Sequence, residues 1–112
     1  MIPQDKTYLL DMFESAKIAL DYASGLRWDA FIADTRTQDA IIRRLEIIGE
    51  AARRVSEATK EMFPDIPWHA VMGMRNLVIH EYDAVDLAIV WDTVQDGLPG
   101  LVRLLEKALQ SN

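Results

Sequence analysis

The chain has 112 residues, half of them apolar and 27% charged, a balance that suits one globular domain and excludes a disordered chain. It has no cysteine, which excludes disulfide scaffolds, thiolate metal sites and cysteine nucleophiles. The net charge of −6 argues against a non-specific nucleic-acid coat, yet residues 36–80 carry seven Lys or Arg against six Asp or Glu, so a local basic cleft stays open.

No apolar run approaches the roughly 20 residues a membrane helix needs, and the opening MIPQDKTYLL lacks a signal-peptide pattern. The expected setting is cytoplasmic, without membrane attachment. A core this small favours oligomerisation.

The periodicity is helical throughout. Leu9, Phe13, Ala16, Leu20 and Ala23 mark one face of a first helix, and Gly25 is a natural stop. Trp28, Phe31 and Ile32 predict a short helical turn under the core. A second helix starts near Thr35, with Ile41, Leu45, Ile48, Ala52 and Val55 as its stripe. Gly49 inside it costs about 1 kcal/mol relative to Ala, and the usual reason to accept that is close approach of another helix. Residues 58–66 read as a polar connection. Pro67 suits the first turn of a third helix, expected to run to about Tyr82. Asp86 can cap a fourth, whose stripe is Leu87, Val90, Trp91, Val94, Leu98, Leu101, Leu105 and Ala108. The phase survives Pro99, so one kinked helix is predicted. There is no strand alternation and no repeat. The expected architecture is all-α: a single domain over 1–112, an antiparallel four-helix bundle with a short extra helical turn.

The chemistry-bearing residues are few. His69 and His80 are eleven apart on one helix face, roughly 16 Å along the axis, too far to share a metal within a chain. No glycine-rich phosphate loop is present, and neither a metal nor a cofactor is expected. The segment Met74-Arg75-Asn76-Leu77-Val78-Ile79-His80-Glu81-Tyr82 is more informative. A histidine, whose ordinary pKa is near neutrality, can take a proton from a 2′-hydroxyl or give one to a leaving oxygen. An arginine can hold a transferring phosphate bidentately. Asn76 can orient either. This set supports phosphodiester cleavage without a metal. Arg75 and His80 lie about 140° apart on an ideal helix, so the helix must loosen near His80 or a second copy must face the first.

Plain structural roles exist for each group. Arg75 can pair with a carboxylate such as Asp86, His80 can sit in a solvated C-terminal turn, and Tyr82 can be core with its hydroxyl at the rim. The pairs Arg43–Arg44 and Arg53–Arg54 read as a solvated face, His69 as a surface residue, and Trp28, Trp68 and Trp91 as core or interface anchors. Glu46 and Glu50 either pair along their own helix or order arginines near the site.

Arg75-Asn76-Leu77-Val78-Ile79-His80, continued by Glu81-Tyr82, resembles the Arg-x4-His-x-Tyr motif of the HepT-like family of the HEPN superfamily, small all-α ribonuclease toxins. Arg44-Leu45-Glu46-Ile47-Ile48-Gly49-Glu50-Ala51, the Pro64-Asp65-Ile66-Pro67-Trp68 entry to Gly73-Met74-Arg75-Asn76, and Trp91 with Leu98-Pro99 extend the likeness over nearly the whole chain. The resemblance implies a HEPN-like bundle that forms a homodimer and cleaves RNA without a metal, with Arg75 and His80 as the catalytic pair and Asn76 in support. It also implies a nucleotidyltransferase antitoxin as partner, attaching AMP to Tyr82. A module of another class, non-catalytic and nucleotide-binding, that holds a nucleotidyltransferase is the alternative.

Overall fold

A computed structural model of the chain describes residues 1–77 and 85–111. Helix α1 spans Pro3–Ala23 and ends at Ser24, where Gly25, with φ 77°, turns the chain. The short α2, Trp28–Ile32, buries Phe31 completely and stacks Trp28 and Phe31 around Trp91, with ring centroids 6.0 and 5.0 Å from the Trp91 ring. Helix α3, Thr35–Arg54, begins at Asp34, whose carboxylate accepts from the Thr37 N–H at 3.0 Å and hydroxyl at 2.6 Å. The buried Gln38 amide donates to the Phe31 carbonyl at 2.8 Å and fastens α2 to α3.

The polar connection expected over 58–66 is corrected by the structure: residues Glu57–Met62 form a helix, α4. Six residues are too few for periodicity to reveal. What nucleates the helix is Ser56, whose hydroxyl caps the Thr59 N–H at 3.3 Å. A buried carboxylate fixes that cap from the far end of the sequence. Asp5, 1% exposed, accepts from the Ser56 N–H at 3.1 Å, the Ser56 hydroxyl at 2.5 Å and the Thr59 hydroxyl at 2.6 Å.

The third helix also differs from expectation. Its α-helical part, α5, covers only Trp68–Met72 and passes into a tighter 3₁₀ segment over Gly73–Leu77. Gly73 at the junction weakens the α-helix. Residues 78–84, on which the expected continuation to Tyr82 falls, lie outside the described residues. The last rod begins at Asp86, which caps the Ala88 and Ile89 N–H groups at 3.0 and 3.3 Å. It comprises α6 (Leu87–Asp92), a π-helical turn (Thr93–Gly97) and α7 (Leu98–Gln110). The irregularity expected at Pro99 takes the form of that π turn: the Leu98 N–H reaches back to the Thr93 carbonyl, and the widened turn makes room for a residue that lacks its own donor.

These contacts set the directions. The start of α1 meets the end of α3 through Asp5 and Ser56, so the two helices are antiparallel. Trp91 lies against α2 at one end of the bundle, while Lys107 and Ala108 border Phe63 and Ile66 at the other. The α6–α7 rod therefore runs with α3 and against α1, and α5 descends between them. The result is the expected all-α antiparallel bundle. Its core is Leu9, Met12, Ala16, Ile41, Leu45, Ile48, Val71, Val90, Leu98 and Leu105, each 1% exposed or less.

Burial raises the Asp5 pKa, but the hydrogen bonds from Ser56 and Thr59 outweigh it, and the net shift is downward from 3.8. A depressed folded pKa contributes stability that is complete above the unfolded value and disappears as pH falls through the folded one. Asp5→Ala should therefore destabilise the chain by about 3 kcal/mol at neutral pH, since three donors lose a charged acceptor. The gap from the parent in denaturant or thermal unfolding should narrow as the solution is acidified below 3.8, without closing, because the protonated carboxyl still accepts from these donors.

Candidate active site

Arg75 is placed by two residues of α3. The first is Gly49. A Cβ built there would lie 2.5 Å from the Arg75 backbone nitrogen, 3.0 Å from its Cβ and 3.1 Å from the Met72 carbonyl oxygen. Only a glycine admits the 3₁₀ segment this close. The second is Glu50, whose carboxylate accepts from the Arg75 guanidinium at 3.0 Å. Both members of the pair are 37% exposed, so this is a solvent-facing contact at a groove wall.

Glu50 also accepts from Arg53 at 2.8 Å and from Arg54 at 3.2 Å. Hydrogen bonds from Arg53 and then Arg75 hold its pKa down to about 2 against the opposing effect of burial, with a lesser contribution from Arg54. It is ionised at any pH of functional interest, and Arg53 is correspondingly raised by the same contact. Glu50 does both things expected of it: it pairs with Arg53 and Arg54 along its own helix and it orders Arg75. The suggested pairing of Arg75 with Asp86 is not: Asp86 is engaged at the start of α6.

Arg75 opens onto a groove of about 440 Å³ that follows one stripe of α3. Arg43, Glu46, Glu50 and Arg54 supply that stripe, and Tyr8 and Asp11 of α1 form the opposite wall. Arg43 and Arg54, read from sequence as a solvated face, thus border a concave surface. Tyr8 and Asp11 were invisible to sequence reasoning. They face the groove only because α1 and α3 are antiparallel, and no local pattern encodes that pairing. Tyr8 is half-buried, and its hydroxyl accepts from Gln4 at 3.2 Å.

Asn76 is exposed on the 3₁₀ segment and His69 is exposed on α5, as expected. His80 and Tyr82 lie outside the described residues, so their distances from Arg75 do not enter the geometry. Trp68 is an anchor: its indole donates to the Phe63 carbonyl at 3.0 Å. Among the described residues no three His, Asp or Glu side chains are placed to hold a metal ion, and no helix is long and apolar enough to cross a membrane.

The family model described as "Ribonuclease HepT-like" matches residues 12–108. The chain belongs to the HepT-like ribonuclease family. A HepT-like relative in Thermococcus cleftensis, named "Probable ribonuclease HepT", is 37% identical over 91% of this chain and 93% of its own length. "Putative RNase MJ1380" of Methanocaldococcus jannaschii is 35% identical over 90% of this chain and 93% of its own. "Putative RNase TTE0752" of Caldanaerobacter subterraneus is 30% identical, covering 94% of each chain. No solved structure gives a significant match.

The Gly49 contact gives a direct test. Gly49→Ala raises helix propensity by about 1 kcal/mol but drives a methyl group into backbone, which costs roughly 1–3 kcal/mol. The variant should unfold at a lower temperature than the parent by circular dichroism. A melting temperature at or above the parent's would refute the close approach of the Arg75 segment to α3.

Proposed function

We propose that this chain is a metal-independent endoribonuclease toxin, acting as a homodimer of one HEPN-like domain per chain in the cytoplasm, with Arg75 and His80 as its catalytic pair. The observation that carries the reading is the solvent-facing Arg75 guanidinium, fixed at a groove wall by Gly49 and Glu50, in a member of the HepT-like ribonuclease family. His80 takes the proton of a 2′-hydroxyl, and the freed oxygen attacks the adjacent phosphorus. The bond from phosphorus to the 5′-oxygen breaks, and that oxygen receives a proton from an imidazolium, the second copy of His80 in the homodimer. The products are a 2′,3′-cyclic phosphate and a 5′-hydroxyl. Arg75 stabilises the charge that builds on the phosphoryl oxygens, and Asn76 supports the pair. Single-stranded or exposed RNA is the substrate, since an open groove reaches an unpaired backbone more easily than a duplex.

Control comes from a nucleotidyltransferase antitoxin. It transfers AMP from ATP to the Tyr82 hydroxyl and releases pyrophosphate. The added phosphate and nucleoside compete with substrate for Arg75 and fill the site. The family membership and the intact Arg-x4-His-x-Tyr sequence support this reading.

Purified protein should cut single-stranded RNA in the presence of a chelator, and Arg75→Ala and His80→Ala should each lower the rate by at least about 100-fold with unchanged helicity. Equal activity in the parent and both variants would remove the proposed pair. Parent protein that binds nucleotide but never cuts would favour the accessory-module alternative. Coexpression with the antitoxin should add the mass of AMP to the parent and not to Tyr82→Phe, and the modified parent should be inactive.

A further inference from the structure

The groove beside Arg75 contains features that the Arg-x4-His motif does not use. Along α3, Arg43 and Arg54 are eleven residues apart, roughly 16 Å, and the Glu50–Arg75 pair lies between them. Arg54 is tied to Glu50 at 3.2 Å, whereas Arg43 forms no ion pair with any described residue. Arg43 is exposed, borders a concave surface and has no ion-pair partner among the described residues, so its guanidinium can meet an incoming anion. On the facing wall, Tyr8 is half-buried, and its hydroxyl is held by Gln4, which fixes an aromatic ring at the groove edge. Three guanidiniums and three carboxylates line the groove, so it is neutral on a chain of net charge −6. A polyanion approaching this groove meets less repulsion than the net charge of the chain alone implies.

We propose that Arg43 and Tyr8 form a substrate subsite: Arg43 holds a backbone phosphate of single-stranded RNA on one side of the scissile position, and Tyr8 stacks on a base of the same strand. This rests on the ribonuclease reading and extends it to residues outside the motif. The order along the groove is Arg43, then Arg75, then Arg54 beside Tyr8, because α1 runs against α3. At about 3.4 Å per nucleotide of a helical strand, that length spans several nucleotides. A groove with guanidiniums along its length and an aromatic ring on its wall is the arrangement that single-strand recognition uses. The carboxylates of Asp11 and Glu46 disfavour loose polyanion binding, so affinity depends on direct phosphate contact at Arg43.

The test is fluorescence anisotropy of a short, fully 2′-O-methylated oligoribonucleotide, which binds without being cut, over a series of salt concentrations. Arg43→Gln should weaken binding about tenfold and make the plot of log affinity against log salt shallower by about 0.7, the value of one phosphate contact on a single strand. Tyr8→Leu should weaken binding about tenfold or more while leaving that slope unchanged, and Tyr8→Phe should restore most of the affinity. Lys107→Gln, on α7 and outside the lining of this groove, is the charge control and should behave as the parent. A slope unchanged in Arg43→Gln, or lowered equally in Lys107→Gln, would overturn the proposal, as would a parent that does not bind the probe. Competition by polyglutamate as effective as by the oligonucleotide would reveal a generic polyanion site and overturn the nucleotide assignment. The unmethylated oligonucleotide separates the two readings. Binding that depends on Arg43, without cleavage, keeps the subsite and ends the ribonuclease reading. Cleavage with an Arg43-independent affinity does the reverse.

Discussion

The site depends on one close approach between backbones. A segment carrying Arg75 comes so near α3 that a single methyl group at position 49 would lie 2.5 Å from its backbone nitrogen. Everything about Arg75 follows from that proximity. The tighter 3₁₀ path of Gly73–Leu77 brings the backbone onto Gly49, and the next residue of α3, Glu50, is then within hydrogen-bond reach of the guanidinium. Helix propensity is given up at two glycines, 49 and 73, and what is gained is a cation held at a fixed place on a groove wall. The arrangement uses the helix-on-helix core only indirectly: Val71 of α5 and Ile48 of α3 are both buried in the same core.

A second constraint closes the same end of the molecule. Asp5 reaches across fifty residues of sequence to bind Ser56, the cap of α4, and the Thr59 hydroxyl beside it. Its carboxylate holds the residue at which α3 stops, while Arg53 and Arg54 are set against Glu50 by the helix itself. One carboxylate, at the start of α1, is buried and hydrogen-bonded; the other, on α3, is half-exposed and ion-paired. Their pKa values fall for different reasons. Neutral donors overcome burial at Asp5, whereas arginine donors act with little burial at Glu50.

Periodicity made the bundle legible because long amphipathic helices repeat their stripe several times. It found α1, α3 and the last rod, and the glycine at 49 announced a close neighbour without saying which. It lost α4, a six-residue helix stabilised by a cap and a long-range carboxylate rather than by a stripe. It also smoothed α5 and the 3₁₀ segment into one helix, since segments of five residues each are too short to display a period of their own. At the site, Arg75 and the ordering role of Glu50 could be read from residue type and spacing. Tyr8 and the inward side of Arg43 could not. A residue enters a groove through its partner helix, and that pairing is a property of topology. His80 and Tyr82 were read from the motif alone and fall outside the described residues.

The Glu50–Arg75 pair bears on how a phosphate would be selected. With a pKa of about 2, Glu50 remains charged wherever RNA chemistry is run, so Arg75 always has a counter-ion. On the ribonuclease reading proposed above, a substrate phosphodiester, with one negative charge spread over two oxygens, shares the guanidinium with that carboxylate. The transition state of transesterification carries more negative charge on the same oxygens and would draw harder on Arg75. The Glu50 carboxylate opposes that added charge as well, so its benefit would lie in orientation: it holds the guanidinium at the groove wall before substrate arrives, at a cost in net positive charge. The same cost would limit the capture of unreactive polyanions by an already acidic chain.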